Sequence, residues 1–175
     1  MNTSPLVKIL GRYGAFAGLM GFILLISLYY MGKHPFLIHP IFDFRIVLLG
    51  VFIFFGLKEF REFHQEGILY FWQGMIGSFV LTAVFAVIAS LLIFLFGSWN
   101  DAFVQSYITE FTEQVAQFPA EMVEQIGKEN MERNLKELQA TTIGDMATTY
   151  LVQSFIISFF ISIILSVILR RQPKP

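Results

Sequence analysis

Long apolar runs separated by short polar segments dominate the pattern of this chain. Three of the runs, Ala15–Met31, Met75–Phe96 and Tyr150–Leu169, contain no charged residue. A helix needs about 20 mostly apolar residues to cross the hydrocarbon core of a bilayer. Each of these runs therefore predicts a membrane-spanning helix.

A fourth apolar run, Ile46–Leu57, is too short to span on its own but extends at both ends. If the helix begins at Pro40, the proline occupies the first helical position, where its missing N–H would have no partner anyway. Asp43 then falls in the first turn, where the helix dipole favours a carboxylate. We expect this helix to continue to Gln65, with its last two turns in water or among headgroups.

These runs predict an all-α fold, an integral-membrane four-helix bundle that forms a single domain over residues 1–175. The predicted spans are about 13–32, 40–65, 73–97 and 147–169. Residues 98–145, between the third and fourth spans, hold nine acidic and three basic side chains. This segment predicts an acidic, amphipathic helical insert on the extracytoplasmic side.

Apolar residues in the insert recur at helical spacing. Phe103, Tyr107 and Phe111 step by four, as do Met122 and Ile126. The apolar faces either pack on each other as a helical hairpin or form a docking surface. Membrane-surface helices usually carry Lys or Arg on the polar face, so the acidic face here favours a protein partner over an anionic lipid surface. We therefore take these five residues as candidate partner contacts.

Small residues form rows at every fourth or nearly every fourth position of the first, third and last spans. In lipid, small residues let helix backbones approach closely, and Ser or Thr can hydrogen-bond between helices. The rows predict packing within the bundle, with a homo-oligomer seam or a polar permeation path as alternatives. The residues concerned are Gly11, Gly14, Gly18, Gly21, Gly74, Ser78, Thr82, Ala86, Ser90, Ser154, Ser158, Ser162 and Ser166.

The distribution of basic residues predicts the orientation of the bundle. Arg12 precedes the apolar part of the first span, and Arg170 and Arg171 directly follow the last. Because cytoplasmic flanks are enriched in Lys and Arg, we expect both termini to be cytoplasmic. The chain is 55% hydrophobic and 14% charged, with a net charge of −1, and it has no Cys. This composition excludes a nucleic-acid module, disulfides and thiolate metal sites.

Candidate chemistry is sparse along the chain. The centre of each predicted span lacks ionisable residues, which usually mark carriers and proton relays. His34 and His39 flank prolines near Asp43, and we interpret them as interfacial loop residues rather than a metal site or pH sensor. His64 stands in a charged helix end that we interpret as solvated. We expect no enzyme, cofactor or metal; a lipid-modifying enzyme using His39 and Asp43 is the weakest alternative.

Two segments carry a family resemblance. Arg12-Tyr13-Gly14 opens the first helix, and Gly67–Gly77 forms a glycine-containing entry to the third. With the acidic insert and the basic end of the last helix, the chain resembles the small bacterial membrane proteins catalogued as domain of unknown function 4199. The resemblance covers nearly the whole chain. It implies four spans in a bacterial inner membrane and supplies no activity.

Two functional hypotheses follow. The first is a non-enzymatic inner-membrane protein that serves as an accessory, scaffold or assembly partner of another membrane protein through its acidic insert. The second is a small oligomeric transporter or channel built on the small-residue rows. In both, the lipid bilayer surrounds the chain, and another membrane protein or a second copy of the chain is the expected partner.

Overall fold

The computed structural model describes residues 4–119, 121, 123–124 and 127–172. Within these residues the chain is all-α, with six α-helices and two short 3₁₀ turns. The helices are α1 (Pro5–Tyr30), α2 (Phe44–His64), α3 (Phe71–Trp99), α4 (Asp101–Ala116), α5 (Lys128–Gln139) and α6 (Ile143–Leu169). The 3₁₀ turns, Pro35–Leu37 and Pro40–Phe42, connect α1 to α2.

Four helices are long and apolar enough to cross a membrane: α1, α3, α6, and α2 together with the 3₁₀ turn before it. Their apolar side chains also cover the outside of the bundle; Phe79 on α3 and Phe160 on α6, for example, are more than half exposed. A helix apolar on every side is stable only when lipid or protein surrounds it. The chain is therefore a membrane protein.

The start of α2 differs from the prediction. Pro40 opens a 3₁₀ turn rather than α2, and Asp43 is the N-cap residue rather than a member of the first turn. The Asp43 carboxylate accepts a hydrogen bond of 2.9 Å from the backbone N–H of Arg45. The reason is local: His39 caps the Pro40 turn, and Asp43 supplies a better N-cap side chain than the preceding residues.

α3 lies at the centre of the bundle, packed along α1 on one side and α6 on the other, while α2 packs against α1 and α6. The side chains at the middle of the core, Leu10, Ile53, Leu81 and Phe85, have no exposed surface. α3 therefore buries small residues on two faces, because it contacts two neighbours over most of its length.

The start of α1 and the end of α6 lie at the same end of the bundle. Leu69, just before α3, and Arg171, just after α6, exchange two backbone hydrogen bonds of 3.0 Å. Arg12 of α1 forms an ion pair with Glu59 of α2 at 2.5 Å. The turn between α2 and α3, the start of α1 and the end of α6 are thereby brought together at one end.

Candidate functional site

The small residues of α3 and α6 lie in the contact between these two helices. Ser154, Ser158, Ser162 and Ser166 are each at most 4% exposed. A Cβ atom added to Gly74 would lie 2.5 Å from the Oγ atom of Ser166. The backbone of α3 therefore approaches α6 so closely that only glycine fits at this position.

A chain of hydroxyl groups crosses the same contact. The Thr82 hydroxyl donates to the Ser78 carbonyl at 2.8 Å, so its single proton is used within α3. Its oxygen also contacts the Ser158 hydroxyl, which must then be the donor. The Ser158 and Ser162 hydroxyls lie 3.4 Å apart. In this part of the molecule the serine row packs against a neighbouring helix of the same chain.

We expect Thr82→Val and Ser158→Ala to show a coupling free energy of about 0.6 kcal/mol, the average for hydrogen bonds between membrane helices. Each substitution removes one buried hydroxyl, and the cycle separates the coupling between the two hydroxyls from the packing cost of each change. A double-mutant cycle of detergent unfolding measures the coupling. Additive effects of the two substitutions would show that the hydroxyl contact contributes nothing.

The glycines of α1 divide into two groups. Gly14 and Gly18 face α3, where an added Cβ would lie 2.5 Å from the Leu81 carbonyl oxygen and 3.0 Å from that of Phe85, respectively. An added Cβ at Gly21 would lie 2.8 Å from the Phe85 ring. Gly11 has no atom within 4 Å of an added Cβ.

Gly11 therefore departs from the predicted packing row, because no neighbouring atom lies within 4 Å of its added Cβ. The two remaining members of the α3 row, Ala86 and Ser90, are 0% and 6% exposed, and the Ser90 hydroxyl has no hydrogen-bond partner among the described residues.

Arg45, in the first turn of α2, is 7% exposed and lies between helices. Its guanidinium pairs with the Asp43 carboxylate at 2.5 Å and donates to the Tyr150 carbonyl at 3.2 Å. It also donates to Ser154 and Gln153 and lies 4.5 Å from the centre of the Tyr150 ring. The guanidinium therefore joins α2 to α6 at one end of the bundle.

A second arginine joins the same two helices at the other end. Arg61 is 8% exposed, although the sequence suggested a solvated helix end. Its Nη1 donates to the Leu169 carbonyl at the end of α6, at 3.2 Å, and its Nη2 donates to Glu62 at 3.2 Å. An arginine satisfies an unpaired C-terminal carbonyl and interacts favourably with the helix dipole there.

His34 corrects another expectation, because it is a buried residue rather than an interfacial loop residue. It is 2% exposed, and its ring lies 4.9 Å from the Phe103 ring and 5.3 Å from the Tyr107 ring of α4. The Nε2 atom lies 3.1 Å from the Phe103 carbonyl, and Nδ1 accepts from the Phe36 N–H at 3.4 Å. The ring is therefore neutral, with its proton on Nε2.

Burial lowers the pKa of His34 from 6.5 to about 4, although the contact with the Phe103 carbonyl opposes the shift. When α4 detaches, the His34 ring is exposed and binds a proton with its ordinary pKa of 6.5. Docking of α4 on the loop is therefore most stable above pH 6.5 and weakens as the pH falls towards 4. Hydrogen exchange of α4 amides, corrected for intrinsic rates, should show this loss of protection.

His34→Phe should remove the pH dependence while keeping the ring packing. Glu110→Gln is the matched control, because the Glu110 carboxylate accepts from the His34 backbone N–H, at 3.4 Å, and not from the ring. The pH dependence should persist in that variant. Its disappearance there would assign the effect to Glu110 instead.

Phe103 is no partner contact, which corrects the prediction for this residue. It has no exposed surface and packs against the rings of Tyr29, at 5.0 Å, and Phe96, at 5.5 Å. Its position in the first turn of α4 directs it into the rim of the bundle. Phe103 therefore anchors the insert to the membrane helices.

The other predicted partner contacts are distributed differently. Tyr107 and Phe111 are half-buried on α4. Met122 and Ile126 lie outside the described residues. On α5, Met131, Leu135 and Leu138 form one inward-facing stripe, while the charged residues point away from it. The exposed charged residues of α5 are Glu129, Glu132, Arg133, Lys136 and Glu137.

His39 and Asp43 do not form a pair. The His39 Nδ1 atom accepts from the Ile41 N–H at 3.4 Å, and the Asp43 carboxylate is held by Arg45. Both residues are thus engaged in shaping the start of α2, at the rim where the loop, α4 and α6 meet.

Comparison with known proteins gives one family. A family model described as "Protein of unknown function (DUF4199)" matches residues 12–171. The matched range contains the greater part of α1, all of α2 to α6, and both segments that carried the resemblance. Neither the curated proteins nor the solved structures gave a match.

Proposed function

The chain belongs to the DUF4199 family of proteins of unknown function, as its sequence motifs indicated, and from that premise we propose a role for it. The chain is a non-enzymatic accessory or scaffold protein of a bacterial inner membrane, which assembles with another membrane protein through its acidic insert. The main support is the way α4 is fixed: the buried Phe103 and His34 hold it to the bundle, while α5 keeps its charged side towards solvent.

A fixed but exposed insert suits recognition. An element that is already ordered loses less conformational entropy when it binds a partner. Residues 98–145 hold nine acidic and three basic side chains, so the favoured partner presents a basic surface.

The use of the buried charges supports a non-enzymatic role. Arg45 and Arg61 each contact backbone carbonyls of α6, and Asp43 is occupied with Arg45. Each of these charged groups takes part in a contact within or between helices, which is a structural role.

The proposed orientation has both termini in the cytoplasm and the insert outside. It is supported by the grouping of Arg12, Arg61, Arg170 and Arg171 at one end of the bundle, since basic residues are retained on the cytoplasmic side. The channel hypothesis has less support, because Ser158 and Ser166 contact α3 and the four serines of the row are buried within the chain.

Photo-crosslinking in living cells tests the proposed partner. A benzophenone amino acid at Glu132 of α5 should give an adduct of defined mass with another membrane protein. The same amino acid at Val167, which is 60% exposed on the bundle surface, is the control and should give no such adduct. Adducts confined to a second copy of this chain would contradict the proposal.

Charge variants sharpen the test. Glu129→Lys combined with Glu137→Lys should suppress the Glu132 adduct, whereas Lys136→Glu, on the same helix, should preserve it. An adduct equally strong in both would mean that the acidic face plays no part in recognition.

Reporter fusions test the orientation. Alkaline phosphatase, which is active outside the cytoplasm, should be active when inserted within Gln114–Gln125 and inactive at the C-terminus. The reverse pattern would overturn the proposed orientation.

A further inference from the structure

A cavity of about 530 Å³ opens at the rim of the bundle. The loop between α1 and α2, the start of α2, the last turns of α4 and the stretch of α6 from Tyr150 to Ile157 surround it. Its volume is in the range of small-molecule binding sites in proteins. Neither the small-residue rows nor the charged side of α5 lines this cavity.

The cavity is polar at one end and apolar at the other. Asp43 and Arg45 line it at the start of the α2 span, where a membrane helix leaves the headgroup region. Ile157 also lines it and lies about 10 Å further along α6 than Tyr150, at 1.5 Å per residue. Its neighbour Ile156 is 55% exposed on the outside of the bundle, so acyl chains can reach this wall. This arrangement suits an amphiphile that enters from the bilayer.

The charges at the polar end cancel, because the one guanidinium is paired with the one carboxylate. The guanidinium N–H groups are directed to Asp43, the Tyr150 carbonyl, Ser154 and Gln153. Arg45 therefore has no N–H group left to bind an additional anion. A ligand headgroup without net charge is favoured over an anionic one.

Neutral donors and one carboxylate remain for the headgroup. The Oε1 atom of Gln153 accepts from Arg45, which leaves its amide N–H groups available. The Nδ1 atom of His39 accepts from a backbone N–H, so the neutral ring carries its proton on Nε2. These donors and the exposed Gln114 match phosphate oxygens. The Asp43 carboxylate accepts from three Arg45 N–H groups, so one of its roughly four acceptor sites remains for an ammonium group.

We propose that this cavity binds a zwitterionic phospholipid of the phosphoethanolamine class, with its headgroup at Asp43, Gln114 and Gln153 and one acyl chain along Ile156 and Ile157. The ammonium group donates to Asp43, and the phosphate accepts from the glutamine amides. This lipid site is independent of the partner contact proposed for α5.

Native mass spectrometry of the full chain, released from detergent with added lipid, tests the site. The probes are phosphatidylethanolamine and phosphatidylglycerol with the same palmitoyl and oleoyl chains. The chain should retain one phosphatidylethanolamine molecule and bind phosphatidylglycerol about tenfold more weakly. Equal retention, or a preference for phosphatidylglycerol, would overturn the assignment of the headgroup.

Two tryptophan substitutions on α6 locate the bound lipid. Ile156→Trp fills the apolar wall of the cavity and should weaken retention about tenfold. Ile164→Trp lies two turns further along the same face, is 57% exposed in the native chain and is outside the cavity, so it should bind like the native chain. Equal retention by the two variants would overturn the proposed location.

A substitution at the headgroup end gives an independent test. Gln114→Leu removes an exposed amide without disturbing a helix contact, and it should reduce the preference for phosphatidylethanolamine over phosphatidylglycerol. An unchanged preference would contradict the proposed headgroup contacts.

Discussion

Replacing Arg45 by methionine is expected to lower the free energy of unfolding by about 3–5 kcal/mol, the range for removing one partner of a buried ion pair. The substitution leaves the Asp43 carboxylate, which is 14% exposed, without its counter-charge. It also removes the donors to the Tyr150 carbonyl and to Ser154 of α6. Unfolding of the purified protein by increasing dodecyl sulfate in mixed micelles measures the loss.

Arg12→Met is the matched control for this prediction. Arg12 also pairs with a carboxylate at 2.5 Å, but its side chain is 56% exposed. An exposed ion pair contributes about 0–1 kcal/mol, so this variant should unfold almost like the native chain. If both variants lost the same stability, burial of the Arg45 pair would not be the cause.

Gly14→Ala is expected to destabilise the bundle by about 1–3 kcal/mol, the usual effect of overpacking a well-packed core. The added Cβ would lie 2.5 Å from the Leu81 carbonyl oxygen and 3.0 Å from the Val84 Cβ. A backbone oxygen cannot move aside as the end of a flexible side chain can, so α1 and α3 must separate. The same dodecyl sulfate titration measures the effect.

Gly11→Ala makes the same chemical change one turn earlier on α1 and should act in the opposite direction. Nothing lies within 4 Å of its added Cβ, so the methyl group has room. Alanine is more favourable than glycine inside a helix by about 0.5–1 kcal/mol, and stability should rise by up to that amount. A loss comparable with that of Gly14→Ala would mean that glycine flexibility, and not close approach, accounts for the row.

The all-α fold and its four long apolar helices were predictable because the bilayer imposes a minimum length on any apolar helix. Met75–Phe96 and Tyr150–Leu169 each fall inside one observed helix, and Ala15–Met31 extends one residue beyond the end of α1 at Tyr30. The helix starts were less predictable, since α1 begins at Pro5 and α2 at Phe44. Starts depend on capping residues that lie outside the apolar runs.

The contacts of the charged and aromatic residues could not be predicted from spacing along the chain. Arg45 meets residues of α6 more than 100 positions later, and His34 meets Phe103 across 69 positions. One signal was present for Arg45: it lies directly before an uncharged run, so a span that includes it must hold its charge near other helices. For Phe103, the helical period indicated an apolar face but not what covers it.

The two arginine contacts of α2 have a consequence for the order in which the chain is made. α2 leaves the ribosome well before α6, and Arg45 and Arg61 both contact backbone carbonyls of α6. Until α6 has entered the membrane, two guanidinium groups at opposite ends of α2 lack these acceptors. A chain interrupted before α6 thus keeps its ion pairs with Asp43 and Glu62 but has guanidinium N–H groups without their carbonyl acceptors, which distinguishes it from a completed molecule.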